Sequence, residues 1–150
     1  MRIVLQVVTG AAVTVEDRTV GSIDGPGLAL LVGITHSDTV ETAQKLAAKI
    51  AGLRVLPGET SCESRGAPVL AVSQFTLYGD VRKGRRPSWS AAAPGPVSEP
   101  LFDAFVAALG ERGLTVATGE FGAHMEVSLV NDGPMTLVLD SDELERPRRP

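Results

Sequence analysis

The chain has 150 residues, of which 43% are hydrophobic and 21% are charged, and its formal net charge at pH 7 is −4. This composition is typical of one globular domain with a core, and the acidic balance argues against a protein that coats nucleic acid broadly. No apolar run approaches the ~20 residues needed to span a membrane, and the single cysteine, Cys62, excludes an internal disulfide. The first residues are too few and too strand-like for a signal peptide, so we expect a cytoplasmic protein without a membrane partner.

Strand patterns dominate the first quarter of the chain. The Gly25-Pro26-Gly27 triplet is predicted to break it as a turn. The apolar run LALLVGI that follows indicates a buried strand over residues 28–34. The strands predicted before the triplet cover residues 2–8, 11–16 and 19–23, the last two joined by a turn at Asp17-Arg18.

One amphipathic helix is predicted next. Ser37, Asp38 and Thr39 are candidate N-caps, and apolar residues from Val40 to Leu53 recur at helical spacing. Residues 57–68 read as a loop, because they are rich in Gly, Pro, Ser and Glu.

The second half is predicted to contain one more helix among further strands. Ser98 is the expected N-cap of that helix and Gly113 its end, after an irregular connection over residues 87–96. The strands are expected at residues 69–72, 114–117, 125–130 and 135–139. Strands with two packed helices make the predicted fold class α+β.

The segment SQFTLYGD, residues 73–80, places two hydroxyls and a carboxamide directly after a buried strand. Such groups need hydrogen-bond partners, which either the sheet edge or a ligand can supply. Composition favours the sheet edge, because Ser, Thr and Gln are common in sheets.

Other sources of chemistry are weak in this sequence. No nucleophile elbow, Walker A loop or dinucleotide-binding glycine pattern occurs. His36 and His124 are interpreted as surface or strand residues, and with one cysteine they make no metal-ligand set. We therefore expect neither a metal nor another cofactor.

Positive charge is concentrated in the run VRKGRRPSW, where Arg82, Lys83, Arg85 and Arg86 lie within five residues. A charge cluster of this kind is either a solvated loop or a clamp for phosphates, because arginine matches phosphate oxygens in a bidentate way. The sequence alone leaves both readings open.

The stretch VNDGPMTLVLD, residues 130–140, carries an Asp-Gly hairpin signal followed at once by a proline. Proline fixes its own φ and adopts a cis peptide bond at low cost, which a plain hairpin does not need. A rigid Gly-Pro tip between two strands is therefore predicted.

SQFTLYGD and VNDGPMT, in this order and about 50 residues apart, resemble the D-aminoacyl-tRNA deacylase family. The similarity runs from Met1 to Ser141, so the domain is placed at residues 1–141 and residues 142–150 are expected to be a disordered tail. The resemblance implies a DTD-like fold, the fold of this family: a mixed or antiparallel sheet forms a barrel-like core with two packed helices, in a homodimer without cofactors.

The resemblance also implies an activity and a site. Family members hydrolyse the ester between a D-amino acid and the terminal ribose of tRNA, and act on glycyl-tRNA, including glycine mischarged on tRNA(Ala). The motif implicates Thr76, Ser73 and Gln74 in catalysis, and Phe75 and Met125 in substrate binding. Gly133, Pro134 and Thr136 belong to the Gly-Pro motif that reaches, through a cis peptide, into the partner's pocket. A rigid main-chain wall rejects the L-hand sterically and admits glycine.

The chain departs from the family at one position in the first strand, and the role of Thr76 stays open. The basic residue that commonly follows the first-strand glutamine is Val7 here. Thr76 is either a nucleophile, or the ribose 2′-hydroxyl assists the reaction while backbone N–H groups around Phe75 and Thr76 stabilise the oxyanion. The absence of an adjacent base favours the second reading. Aminoacyl-tRNA is the expected partner, through its 3′-terminal aminoacyl-adenosine, and DNA is not. The alternatives are a non-catalytic RNA- or nucleotide-binding module and an editing domain for L-aminoacyl-tRNA.

Overall fold

A computed structural model describes residues 1–149 and shows a five-stranded mixed sheet with four helices. The strands are β1 (Arg2–Val15), β2 (Arg18–Gly33), β3 (Val69–Ser73), β4 (Val116–Thr118) and β5 (Glu126–Asp140). The helices are α1 (Val40–Gly52), α2 (Cys62–Arg65), α3 (Gly95–Glu111) and α4 (Ser141–Leu144), and a 3₁₀ turn covers Phe75–Tyr78. The α+β class is confirmed.

The strand order is β4-β3-β2-β1-β5, with antiparallel pairs around β1 and parallel pairs on both sides of β3. The sheet is not closed, so the predicted barrel-like core is wrong. β4 has three residues and β5 lies at the opposite edge, and no ladder joins the two in the described chain. Closure requires every strand to pair on both sides, which these edges do not do.

A bend in β1 lets this one strand serve two hydrophobic clusters. Ile3, Leu5 and Val7 alternate into the cluster under α1 and α3, whereas Val8 and Val13 join a second cluster. Val7 and Val8 are both buried, which breaks the period of two, and the register with both neighbouring strands shifts there. The shift is a β-bulge, so predicted strands 2–8 and 11–16 form one bent strand.

The predicted turn at Gly25-Pro26-Gly27 is wrong, because β2 runs through it. The reason for Gly27 is the close approach of the β3 side of the sheet. A Cβ on Gly27 would lie 2.4 Å from the carbonyl oxygen of Pro68, next to the hydrogen bond that Leu28 N donates to that oxygen. A glycine inside a strand can mark such an approach as well as a break.

The structure differs from the prediction at three helices, two of which, α2 and α4, were not predicted. α3 begins at Gly95 rather than after Ser98, with Pro96 in its first turn, where a missing N–H costs nothing. α2 lies in the predicted loop 57–68, where Ser61 caps it through a capping box with Ser64. α4 occupies the first part of the predicted tail, and Pro150 lies outside the described residues. Across residues 1–149, no helix combines the length and apolarity that crossing a membrane requires.

Thr39 is the N-cap of α1, and its replacement should cost about 1 kcal/mol of unfolding free energy. Its side chain accepts a hydrogen bond from Thr42 N, while Thr39 N donates to the Thr42 hydroxyl. Thr39→Ala removes the first of these bonds. Chemical denaturation of Thr39→Ala beside Ser37→Ala, a second exposed candidate, measures the difference. Equal midpoints for the two variants would contradict the assignment of the cap.

Candidate active site

A cleft of about 530 Å³ opens where β2 and β3 end. Val32, Ile34 and Val72 form its apolar floor, and the parallel pairing of β2 with β3 brings both carboxyl ends to one edge. Ligands of parallel sheets commonly bind in the crevice outside the carboxyl ends of the strands. The cleft is therefore the first candidate for a binding site in the described chain.

The structure brings four of the predicted site residues into this cleft. Ser73, Gln74 and Phe75 line one wall and Met125 lines another. Thr76 lies one residue further on, in the 3₁₀ turn, where it is exposed and is not part of the lining. The short motif thus straddles the cleft and its rim.

Other lining residues come from two connections to which the sequence assigned no role. Trp89 and residues 92–95 lie in the irregular connection before and at the start of α3, and residues 121–124 precede β5. For Trp89 and residues 92–95 the sequence signal was the irregular connection over residues 87–96, because connecting segments often carry binding residues, whereas residues 121–124 gave no such signal. His124 is the only titratable side chain of this lining, and it is exposed.

The polar wall presents backbone donors rather than a nucleophile with its base. Gln74 Nε2 donates to the Thr76 hydroxyl, and within residues 1–149 no carboxylate or imidazole contacts that hydroxyl. The N–H groups of Phe75 and Thr76 open the 3₁₀ turn and have no acceptor among the hydrogen bonds of the described residues. Two adjacent free N–H groups are suited to a developing oxyanion.

Two other reactive side chains are held neutral and lie elsewhere. Burial raises the pKa of the Cys62 thiol to about 11, which removes the thiolate that nucleophilic chemistry needs. Burial, followed by the Asp38 carboxylate, also raises the pKa of Tyr78. No group of three His, Cys, Asp or Glu side chains in the described part of the chain is arranged to hold a metal ion.

The Gly-Pro segment, residues 131–136, is not a hairpin tip as predicted. The parts of β5 on both sides of it pair with β1, where Gln6 faces Thr136 and Val8 faces Asn131, so residues 132–135 bulge out of a single strand. The Gly133–Pro134 peptide bond is cis, and both residues are exposed. Neither residue lines the cleft described above.

Hydrogen bonds with β1, together with one inside β5, fasten both ends of this bulge. Asn131 Nδ2 donates to the carbonyl oxygens of Val7 and Met135, at 2.9 and 3.2 Å. Gln6 Nε2 donates to the Thr136 hydroxyl at 3.1 Å. The support at Val7 therefore comes from its backbone carbonyl, which needs no basic side chain.

The basic run forms a closed loop beside the cleft. Asp80 and Ser88 exchange two backbone hydrogen bonds of 2.8 Å, which close residues 81–87 into a loop. Hydrogen bonds from the Arg82 side chain lower the pKa of Asp80 to about 2, so this pair stays ionised at neutral pH. Lys83, Arg85 and Arg86 are exposed and form no ion pair with another described residue.

The family model described as D-Tyr-tRNA(Tyr) deacylase matches residues 4–140 of this chain. The chain belongs to the D-Tyr-tRNA(Tyr) deacylase family. A relative from Kocuria rhizophila named D-aminoacyl-tRNA deacylase is 74% identical over 149 residues, which are 99% of each chain. One of the same name from Acidothermus cellulolyticus is 65% identical over 95% of this chain and 100% of its own. The family resemblance predicted from the two motifs is confirmed, and the deacylases are hydrolases.

Solved structures agree with this deacylase fold. The structure of a protein named c-Myc DNA Unwinding Element Binding Protein has a TM-score of 0.85 and 36% identity, covering 93% of this chain and 98% of that chain. A second, described as a probable eukaryotic D-amino acid tRNA deacylase, has a TM-score of 0.79. At 19% identity, over 92% of this chain and 97% of that chain, the second supports the fold alone.

Proposed function

We propose that this protein hydrolyses the ester of D-aminoacyl-tRNA in the cytoplasm and spares the L-ester. The observation that carries the proposal is the segment of residues 73–76, which runs from the cleft wall to its rim at Thr76 and places two free backbone N–H groups beside a hydroxyl and a carboxamide. An aminoacyl ester needs a donor pair for its carbonyl oxygen and polar contacts for the ribose and adenine. Names of relatives up to 74% identical supply the substrate class.

The bond-breaking step is assigned to water with help from the RNA itself. Water attacks the ester carbonyl carbon, and the resulting oxyanion is held by Phe75 N–H and Thr76 N–H. The bond from that carbon to the ribose 3′-oxygen then breaks, releasing the D-amino acid. The vicinal 2′-hydroxyl relays the proton from the water to the leaving oxygen, so the protein needs no nucleophile. Each backbone donor is worth ~3–4 kcal/mol in other enzymes.

We assign the discrimination between D- and L-aminoacyl esters to the Gly-Pro segment of a second protomer. β5 is an edge strand whose Val130 and Val138 are 63% and 65% exposed, so the strand that carries Gly133 and Pro134 also offers apolar surface to a partner. Exposed apolar edge strands favour pairing with another chain. In the homodimer, the segment enters the partner's cleft and blocks an L-side chain by its main chain.

Glycyl-tRNA follows from the same exclusion. A barrier that works by collision with a side chain cannot reject an amino acid that has none, so glycine mischarged on tRNA(Ala) is accepted as a substrate. The D-side chain points away from the barrier, which permits residues of many kinds.

Binding of DNA is a second candidate, favoured by the name of the 36%-identical protein of known structure. Binding without turnover also describes the RNA-binding alternative. Comparing an aminoacylated nucleic acid with the same nucleic acid lacking the ester distinguishes these two binding functions from the deacylase. Binding alternatives predict equal affinity for charged and uncharged nucleic acid and no release of amino acid.

Deacylation of matched D-Tyr-tRNA and L-Tyr-tRNA by the purified protein tests the proposal. The D-ester should be cleaved at least a hundredfold faster than the L-ester, each corrected for spontaneous hydrolysis. If the protein instead cleaved an L-ester faster, L-seryl-tRNA included, it would be an editing domain for L-aminoacyl-tRNA.

Thr76→Ala should lower kcat for D-Tyr-tRNA less than about tenfold, because the hydroxyl lost is not the nucleophile and the backbone N–H remains. Single-turnover kinetics at saturating enzyme measures the chemical step apart from binding. Thr76→Ser, which keeps a hydroxyl for Gln74 to contact, is the matched control. A complete loss of turnover in Thr76→Ala alone, with substrate still bound, would instead make Thr76 a nucleophile.

A further inference from the structure

Two large aromatic side chains are exposed together at the mouth of the cleft. Phe75 is 56% exposed and Trp89 is 44% exposed, and both line the cleft. Their ring centroids lie 5.4 Å apart in an edge-to-face arrangement. Exposed aromatic pairs at a cleft mark a surface for binding rather than for folding.

Trp89 is held in place from beneath. A Cβ on Gly79 would come within 2.8 Å of Trp89 Cζ3, so the indole lies directly against the Gly79 backbone. The residue before it, Ser88, exchanges two backbone hydrogen bonds with Asp80. The ring is therefore a fixed platform, which keeps the entropic cost of stacking a ligand on it low.

Unpaired positive charge adjoins this platform along the chain. The loop of residues 81–87 ends two residues before Trp89, and its Lys83, Arg85 and Arg86 have no ion-pair partner in the described chain. Arg82 is engaged by Asp80 and is not available in the same way. Aromatic faces beside free cations are the combination that holds single-stranded nucleic acid, with bases stacked and phosphates neutralised.

We infer that Trp89 and the loop of residues 81–87 bind the single-stranded nucleotides that precede the terminal adenosine of the tRNA. This rests on the proposed function, since the terminal aminoacyl-adenosine occupies the cleft. Trp89 stacks with the neighbouring base, and Arg85 and Arg86 contact the phosphates on its far side. An acidic peptide would use the cations but would leave the aromatic platform without a partner.

Trp89 is the only tryptophan of the chain, so binding can be followed without any turnover. Titration with uncharged CpCpA should quench its fluorescence, and the affinity should fall as salt rises. Adenosine alone, which lacks the preceding nucleotides, should quench the fluorescence less than CpCpA at saturation. No quenching by CpCpA, or equal quenching by adenosine, would overturn the inference while leaving the deacylase proposal untouched.

Turnover supplies the second arm, with D-Tyr-adenosine and D-Tyr-CpCpA as paired substrates. Trp89→Ala should lower kcat/KM for the trinucleotide ester about tenfold more than it lowers kcat/KM for D-Tyr-adenosine, a difference within the range measured for losing one stacked base. Trp89→Phe should recover most of the loss. An equal loss on both substrates would place Trp89 in the adenosine pocket, and no loss on either would leave it without a nucleic-acid role.

Charge reversal tests the loop. Arg85→Glu with Arg86→Glu should raise KM for D-Tyr-CpCpA and reduce the slope of log KM against log salt by about one to two, the value expected for two lost phosphate contacts. Arg54→Glu is the matched control, because Arg54 follows α1 and does not line the cleft. An unchanged slope, or the same change with Arg54→Glu, would show that the loop is solvated and does not contact phosphate.

Sedimentation of Trp89→Ala tests whether a second copy of the chain, rather than RNA, covers the aromatic pair. A shift to monomer would show that it does.

Discussion

A D-aminoacyl-tRNA that ends in 2′-deoxyadenosine is expected to be hydrolysed about 10²–10⁴ times more slowly than its ribose counterpart, the size of effect that a positioned proton-transfer group contributes. The expectation follows from what the cleft lacks. Its polar wall holds a hydroxyl, a carboxamide and backbone donors, and no base contacts the Thr76 hydroxyl among the described residues. In the proposed mechanism the substrate therefore supplies the proton relay.

The comparison requires two controls. Spontaneous hydrolysis of each ester is measured alone, because the 2′-hydroxyl also changes the intrinsic reactivity of its neighbour, and the ratio of enzymatic to spontaneous rates is compared. His124→Asn is tested alongside, because His124 is the titratable side chain of the cleft lining. If the deoxy substrate were hydrolysed at the full rate and His124→Asn were inactive, the catalytic base would be His124 of the protein and not the 2′-hydroxyl of the substrate.

Loosening the Gly-Pro segment is expected to raise the ratio of L- to D-ester hydrolysis about tenfold to a hundredfold, equivalent to ~1.4–2.8 kcal/mol of lost discrimination. Pro134→Ala frees the φ angle that proline fixes. Asn131→Ala removes the bonds to Val7 and Met135 that fasten the bulge. Both changes let the barrier yield to an L-side chain while the D-ester still reaches the oxyanion donors. The L- and D-Tyr-tRNA rates of each variant measure the ratio.

Gly133→Ala is the matched variant with the opposite expectation. A Cβ there would meet only Asn131 Oδ1, at 3.6 Å, so the protomer itself accommodates the methyl group. If the segment enters the partner's cleft as proposed, the methyl group narrows the space for the substrate there, so D-ester turnover should fall without a gain for the L-ester. If all three variants kept the wild-type ratio, the segment would have no part in selecting the hand.

The sequence indicated the components of the site better than their arrangement. The order of SQFTLYGD and VNDGPMT was enough to name the family and to place Ser73, Gln74 and Phe75 at one wall. A local motif is readable because its residues are neighbours in the chain. Trp89 and residues 121–124 reach the same cleft only through the packing of α3 and the approach to β5, which no local pattern encodes.

The errors in the fold have a common physical cause. Gly27 and the residues of the Gly-Pro segment carry turn signals, yet both lie within long strands because tertiary contacts override local preference. At Gly27 the constraint is the Pro68 carbonyl, and at the segment it is the pairing of β1 with both halves of β5. Neither partner is close in sequence, so turn chemistry alone predicted breaks that the sheet does not have.

Mixed dimers test most directly whether the barrier acts on the partner's cleft. The Pro134→Ala variant should hydrolyse the L-ester. It is mixed with an excess of the Ala123→Trp variant so that subunits exchange and mixed dimers form. In Ala123→Trp the indole should fill the cleft, while the Gly-Pro segment is intact. Supply of the segment in trans predicts that L-ester hydrolysis falls towards the wild-type level while D-ester hydrolysis by the open clefts persists. L-ester hydrolysis that stays unchanged at every excess would show that each protomer guards its own cleft, and would contradict the proposed selection of the hand.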